Sequence, residues 1–581
     1  MSTLSSTHPR PQLTRKEWVM LDGEWSFKFD ETDSGVKEQW YKNWLGSDII
    51  NVPFSYETEL SGIHQEEFIS IVWYRKEVEL EEGQDYLLHF EGADHYSQVW
   101  IDGEKLGDHR GGYSRFSFQI SGKKDKVSLV VRVEDTMLCS QPRGKQRWLK
   151  DNFGCWYIQT TGIWKSVWLE KVAANHISEI KLTPDVSQQT LACDIQLNHF
   201  DRQKNYHLIS TISFQGNLIS QTTSSLPQEL SQISLSVVDR LDTAWGMRLW
   251  SPDEPNLYDL KVELLVDNQS VDLVDSYFGM RSIAIEGSTI LLNGHSLYQR
   301  LILDQGYWQE SGLTPPSVEA LELDIMRIKE MGYNGVRKHQ KTEDERFLYL
   351  CDKHGLLVWS EMASTYEFND QAIELFTHEW LSIVKQNYNH PSIITWVPFN
   401  ESWGIGNIYE DVKQQKFTES IYYLTKAIDS ERPVITNDGW VHTISDIITL
   451  HDYEELIPLF NKRYEDRDKI MSNQLMFNKD FYAFARDYKY GGQPIIMSEF
   501  GGIAFNSKDG WGYGNQVADE EAFMKRFDEI HQAIQNLDYV SGYCYTQLTD
   551  VEQEVNGLLT PDRQPKVDLR KVKKVNERRK S

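Results

Sequence analysis

The sequence predicts a multidomain protein in which two β-sandwiches precede a (β/α)8 TIM barrel, and three observations predict it. At 581 residues the chain exceeds what one hydrophobic core supports, and a rule of about 150 residues per domain gives three or four domains. Up to about residue 283 the chain reads as short alternating runs broken by turn residues. From about residue 284 apolar strand-like runs alternate with helical segments, the texture of a parallel α/β domain.

Residues 1–175 read as a jelly-roll sandwich. Gly23-Glu24-Trp25-Ser26-Phe27-Lys28-Phe29, Gln98-Val99-Trp100-Ile101-Asp102-Gly103-Glu104-Lys105-Leu106-Gly107 and Lys126-Val127-Ser128-Leu129-Val130-Val131-Arg132-Val133 are strands and hairpins of period two. Residues 176–283 repeat the pattern at longer spacing, through Asp194-Ile195-Gln196-Leu197 and Leu260-Lys261-Val262-Glu263-Leu264-Leu265, and predict a smaller immunoglobulin-like sandwich. Residues 284–581 carry eight strand candidates at 298–303, 335–338, 356–359, 393–399, 433–436, 447–450, 494–498 and 539–545. Helical patterns at 317–331, 343–354, 371–387 and 520–535 fall between them, and the span suits an eightfold barrel.

Sixty basic against 87 acidic residues leave a net charge of −27, which repels polyanions and argues against nucleic acid or an anionic membrane as the partner. No run reaches the ~20 apolar residues of a membrane span, and the first ten residues lack the pattern of a signal peptide, so a cytoplasmic location is expected. Five scattered cysteines (139, 155, 193, 351, 544) form no C-x-x-C pair and read as reduced thiols. Nothing calls for a cofactor or a metal ion. The 19 Trp and 28 Tyr suit stacking on sugar rings, although most are expected in cores and interfaces.

Active sites of such barrels lie at the carboxyl ends of the strands, so a polar residue directly after an apolar strand is a catalytic suspect. Trp396-Val397-Pro398-Phe399-Asn400-Glu401 ends the fourth candidate strand, and Ile495-Ile496-Met497-Ser498-Glu499 ends the seventh. Strands four and seven face each other across a closed barrel, so Glu401 and Glu499 are the candidate catalytic pair. A retaining glycosidase needs one protonated carboxyl and one ionised carboxylate about 5–5.5 Å apart. Chain order does not say which is which. Arg337 ends strand two, where a fixed guanidinium would hold a neighbouring carboxylate ionised. Asp304 after strand one, His339 after strand two, Glu361 after strand three, and Asp438 and Trp440 after strand five are candidates for sugar hydroxyls. Gln547, Asp550 and Glu552 follow strand eight without individual roles.

The pairing of Asn400-Glu401 with Ser498-Glu499-Phe500-Gly501 resembles glycoside hydrolase family 2. So do Leu21-Asp22-Gly23-Glu24-Trp25, Gly162-Ile163-Trp164 and Val167-Trp168-Leu169 in its sugar-binding domain, and Trp250-Ser251-Pro252 and Phe278-Gly279-Met280-Arg281 at the end of its immunoglobulin-like domain. The resemblance implies that Glu401 is the acid/base and Glu499 the nucleophile. It also implies that Asn400 donates to the substrate 2-hydroxyl and that Arg337 contacts the nucleophile. A tyrosine near the nucleophile is implied too, a place open between Tyr453 and His451.

Three segments depart from the family. The segments around the ends of strands one and two, Arg300-Leu301-Ile302-Leu303-Asp304-Gln305-Gly306-Tyr307-Trp308 and Arg337-Lys338-His339-Gln340-Lys341, differ from those of the large β-galactosidases. Val555-Asn556-Gly557-Leu558-Leu559 stands near the Asn-x-Lys element of the β-glucuronidases without its lysine, which disfavours a glucuronide. The expectation is a retaining, exo-acting β-galactosidase-like enzyme on a small oligosaccharide or glycoside, with β-galactofuranoside or arabinoside as alternatives and possible homo-oligomerisation. A non-catalytic carbohydrate-binding protein and an endo-acting polysaccharide hydrolase are the competing readings. The Lys-rich end at 571–580 reads as an amphipathic helix.

Overall fold

The computed structural model describes residues 3–122, 125–239, 246–508 and 510–578. In the first sandwich a four-stranded antiparallel sheet runs in the order Trp18–Met20, Val167–Val172, Asp85–Phe90, Phe116–Ser121. It faces a six-stranded sheet ordered Asp48–Val52, Gly23–Phe29, Ile71–Glu79, Lys126–Glu134, Tyr96–Ile101, Glu104–Arg110. Alternate residues such as Trp25, Phe27, Val72, Tyr74, Leu88, Val131 and Leu169 fill the space between them. The second sandwich opposes three strands, Ile177–Asp185, Thr190–Leu197 and Leu230–Ser236, to four, Asn217–Leu226, Tyr206–Phe214, Tyr258–Val266 and Gln269–Phe278. Strict alternation of buried and half-buried residues along Tyr206–Phe214 shows why that segment is a strand with one face inward.

The barrel strands are β1 (Gln299–Asp304), β2 (Gly335–Lys338), β3 (Leu357–Glu361), β4 (Ile393–Val397), β5 (Asn437–Asp438), β6 (Ile448–His451), β7 (Ile495–Glu499) and β8 (Val540–Tyr545). Seven of them form one parallel sheet in the order β4-β3-β2-β1-β8-β7-β6. β5 closes the ring through a short extension of β4, pairing Phe399 with Asn437 and Asn400 with Asp438. Between the strands lie α1 (Val318–Glu330), α2 (Glu345–His354), α3 (Asp370–Gln386), α4 (Val412–Ile428), α5 (Ile457–Tyr464), α6 (Arg467–Met471) and α7 (Glu520–Gln535), and α8 (Leu569–Asn576) follows β8. Most of these helices start at an Asp or Asn whose side chain accepts a backbone N–H two or three residues on, as Asn369 does for Ala372 and Asp411 for Lys413.

Strand period two sorts the barrel residues. Leu301, Leu303, Leu357, Trp359, Ile394 and Ile496 fill the lumen, whereas Ile302, Val336, Val358, Ile393 and Ile495 pack under the helices. Gly335 belongs to the inward set, and a Cβ there would lie 2.5 Å from Leu301 Cδ2. Continuing the same register, Arg337 and Glu361 stand one layer above, at the mouth.

The fifth strand is shorter than the sequence predicts. Residues 433–436 bond to β4 through Ile435 N to Trp396 O (2.9 Å) and Phe399 N to Thr436 O (3.2 Å). On the other flank Val434 N is taken by Asp446 Oδ2 and Thr436 N by Ser445 Oγ, at 2.8 and 3.0 Å. Side chains thus occupy donors that a full ladder to β6 would use, and the ladder proper is confined to Asn437–Asp438.

The first sandwich is bolted to the barrel. Glu379 of α3 accepts the backbone N–H of Tyr113 (2.6 Å) and Ser114 (3.0 Å), Lys165 Nζ donates to Thr342 O (2.9 Å), and Thr314 Oγ1 donates to Trp164 O (2.6 Å). The second sandwich is joined through Tyr277, whose hydroxyl donates to Asp352 of α2 at 2.7 Å. Among the described residues no helix is long and apolar enough to cross a membrane.

Candidate active site

Glu499 ends β7 with its side chain 6 % exposed. Arg337 Nη1 donates to its Oε1 at 2.8 Å and Tyr453 Oη donates to its Oε2 at 2.6 Å, while His451 Nδ1 stands 3.6 Å from Oε2. Burial alone would raise this carboxyl. The positive charges of His451 and Arg337, with the Tyr453 hydrogen bond, outweigh it and hold Glu499 well below the usual carboxylate range.

Glu401 lies just past the β4 extension and is more open, with its side chain 18 % exposed. Both Glu401 (φ 49°) and Ser402 (φ 59°) lie in the left-handed region, a strained conformation that non-glycine residues adopt where their neighbours force it. Here the neighbours are β5 and the turn after it. Glu401 N donates to Asp438 O at 2.9 Å, and Ser402 N donates to Asn437 Oδ1 at 2.9 Å. Asn437 Nδ2 in turn donates to Ser402 Oγ (3.0 Å) and Trp440 O (2.6 Å).

His451, at the end of β6, links the two glutamates. Its Nδ1 lies 2.9 Å from Glu401 Oε1 and its Nε2 lies 3.0 Å from Asp438 Oδ2. Burial opposes the imidazolium, but Glu499 and Asp438, together with hydrogen bonds to Asp438 and Glu401, raise its pKa to about 10. His451 is therefore a cation at neutral pH. Glu401, His451 and Glu499 each offer an atom within 4.8 Å of the others, a spacing that could also hold a metal ion.

The remaining sequence candidates divide into three groups. Asn400 accepts from Arg337 Nη2 at 2.7 Å through Oδ1, which turns its amide nitrogen away. That nitrogen is buried and has no hydrogen-bond partner among the described residues, so it is a free donor at the site, as is the indole N–H of Trp440, whose ring stacks on Phe481 at 4.0 Å. Asp438, Glu361 and His339 are at the site but act on its protein groups. Asp438 takes Arg337 Nη1 (2.7 Å), His451 and Ser498 Oγ (2.8 Å). Glu361 takes Arg337 Nε (2.7 Å) and both N–H groups of Gln340, with His339 Nδ1 at 3.0 Å. Their oxygens are spoken for, which corrects the expectation that these two carboxylates bind sugar hydroxyls.

Asp304 is the third case, and it is not brought to the site. It comes after Leu303, a lumen residue, so its side chain turns outward and pairs with Lys338 at 2.6 Å. Strand-end position alone does not reveal this. The period along the strand does. Of the two residues competing for the place by the nucleophile, Tyr453 makes the hydrogen bond and His451 the charge.

Sequence reasoning missed the roof. Residues 135–161 of the first domain run without a long strand from the sandwich to the barrel mouth. Trp511 Nε1 donates to Gly154 O at 3.0 Å, Gln553 Nε2 donates to Gly154 O and Trp156 O at 3.0 Å, and Asn152 bonds Glu552. Trp156 meets Trp403, two residues past Glu401, with ring centroids 5.7 Å apart, and Tyr366 meets Trp403 at the same distance. The signal available was the crowding of Trp148, Phe153, Trp156 and Tyr157 into a segment too long for a plain connection.

Residues 283–580 match the TIM barrel domain of the glycosyl hydrolases family 2, residues 175–281 match the family's second domain, and residues 19–172 match its sugar binding domain. The chain is 24 % identical to the β-galactosidase of Thermoanaerobacter pseudethanolicus over 86 % of this chain and 67 % of that one. It is 23 % identical to the β-glucuronidase of Streptococcus agalactiae over 97 % of both. A crystal structure of a β-galacturonidase from Eisenbergiella tayi superposes with a TM-score of 0.77 at 20 % identity, covering 98 % of each chain. Three consecutive domain matches and two opposed glutamates thus lead to one conclusion: the chain belongs to glycosyl hydrolases family 2 and is a β-glycosidase.

Proposed function

We propose that this protein is a retaining, exo-acting β-glycosidase that hydrolyses terminal β-hexuronides by double displacement. The observation that carries the mechanism is the closeness of the two carboxylates, one oxygen of each lying within 4.8 Å of one oxygen of the other. A retaining pair stands about 5–5.5 Å apart, whereas an inverting pair stands about 6.5–9.5 Å apart to admit a water. Glu499, held ionised by Arg337, His451 and Tyr453, attacks the anomeric carbon. Glu401 gives a proton to the leaving oxygen and then takes one from the water that releases the sugar. The unpartnered amide of Asn400, next to Glu401 in the chain, suits a ring hydroxyl whose hydrogen bond tightens in the transition state. The roof over the mouth favours a chain end over the middle of a polymer.

For the sugar, the named relatives include β-glucuronidases of Streptococcus agalactiae, Paenibacillus borealis and Homo sapiens and the β-galacturonidase of Eisenbergiella tayi, which supports a uronide. A β-galactoside is the second reading, favoured by Asn556 and Gly557 in the β8 loop where the sequence lacks a lysine.

Azide separates the two glutamates. Glu499→Ala is expected to lose about 10⁴-fold or more in kcat and, with azide, to release the glycosyl azide of inverted configuration. Glu401→Ala is expected to lose about 10²–10⁴-fold on substrates with poor leaving groups and to give the azide of retained configuration. Retained product from the Glu499 variant, or no azide product from either, overturns the assignment.

A further inference from the structure

We propose that Lys145, supplied by the roof of the first domain, is the cation that captures the carboxylate of a uronic-acid sugar in the barrel pocket. The proposal rests on the uronide reading above and names the residue that makes it work.

Lys145 is 6 % exposed. Its backbone is fixed by Tyr157 N donating to Lys145 O at 2.8 Å and Arg147 N donating to Tyr157 O at 2.7 Å, so the side chain leaves a braced segment. The ammonium lies 5.1 Å from the centre of the Trp403 ring and 6.0 Å from that of Tyr157. Trp403 is held to the catalytic turn by its N–H donating to Asn400 O at 2.9 Å. Tyr157 bonds Glu554 of the β8 loop and accepts from Gln305 Nε2 at 3.1 Å. Lys145 therefore reaches, from above, the wall that the β8 loop builds from below.

The missing counter-ion sets it apart from the other buried lysines of this region. Those are satisfied. Lys338 pairs with Asp304 and Glu343, Lys341 pairs with Glu343 and donates to Gly306 O and Leu313 O, and Lys165 donates to Thr342 O and Glu343 O. Lys145 makes no ion pair among the described residues, and its side-chain partner is the Cys155 thiol, pushed up to about 11 by burial. Burial opposes its charge too, but Cys155, Glu554 and Glu499 raise it above the ordinary lysine value. Lys145 thus holds its charge without a contacting carboxylate, and a carboxylate arriving on a sugar would give it one. In the β8 loop Asn556 bonds Gln547 (2.7 Å) and Glu554 (3.2 Å), so it offers no positive charge. The cation comes from another domain.

The test uses the full chain with p-nitrophenyl β-D-glucuronide and β-D-galacturonide beside the neutral β-D-glucoside and β-D-galactoside. Readouts are kcat/KM for each and the ratio of uronide to neutral sugar. Lys145→Met is expected to lower that ratio by about 100-fold, chiefly through KM, whatever loss both sugars share, because it removes one partner of a buried charge pair. Lys145→Arg, which keeps the charge, is expected to restore part of it. An unchanged ratio in Lys145→Met, with wild-type preference for uronides intact, overturns the role of Lys145 and leaves the uronide reading standing. A wild-type preference for the neutral sugars overturns the reading and the proposal with it.

Discussion

His451 keeps its proton because Glu499, Asp438 and Glu401 surround it, and through that charge it sets the ionisation of Glu499. Replacing it by Gln keeps a donor and removes the cation. The pKa of Glu499 then rises, so the acid limb of the kcat/KM profile is expected to move to higher pH, with about 100-fold lower activity at neutral pH. A profile of unchanged shape would refute this coupling. Stability carries the same signature. The folded pKa of about 10 lies above the ordinary 6.5, so the contribution of His451 is complete below pH 6.5 and is lost as pH rises through about 10. The gap in Tm between wild type and His451→Gln is expected to narrow over that window. Glu401, Glu499, Arg337 and Asn400 were legible in the sequence because a barrel puts its chemistry at strand ends. Lys145 and Trp156 were not, since no periodicity links a loop of one domain to the pocket of another. Nor could strand position alone show that Glu361 and Asp438 spend their oxygens on Arg337.

The element that decides the geometry of Glu401 is β5. Asn437 accepts from Ser402 N and donates to Ser402 Oγ and Trp440 O, all buried. Asn437→Ala leaves these groups unpaired and is expected to destabilise the fold by about 1–3 kcal/mol, read as a lower Tm. It is also expected to lower kcat more than it raises KM, because the left-handed turn at Glu401 and Ser402 loses its support. Seven strands fall where the sequence puts them, to within a residue or two, because continuous apolar runs with both faces covered leave little choice of register. The fifth does not. Val434 and Ile435 have the composition of a strand, yet Ser445 and Asp446 take the donors of its second edge, and no propensity records such competition.

At the scale of the molecule, the sandwiches complete the barrel. Glu379 and Glu345 are buried on the barrel and find their donors on the first domain, in the N–H groups of Tyr113 and Ser114 and the guanidinium of Arg115. A chain limited to residues 283–578 would expose the surface under the roof and leave those carboxylates without partners. It is expected to aggregate on gel filtration and to show no activity even on neutral nitrophenyl glycosides. Soluble, active barrel would disprove the dependence. The order of the three domains was readable from the change of texture near residue 284. The joints between them were not, because they rest on single buried polar contacts scattered through loops.

The short fifth strand gives the barrel wall two kinds of construction. Through β8, β1 and β2 the wall is strand paired to strand, with a register shift on each flank of β7, whereas beside β5 it is two paired residues and a set of side-chain struts. Glu499 is carried by the paired wall and Glu401 by the strutted one. The two carboxylates of the proposed reaction are therefore mounted by different means, one by backbone ladder and one by buried side chains that a single substitution can remove.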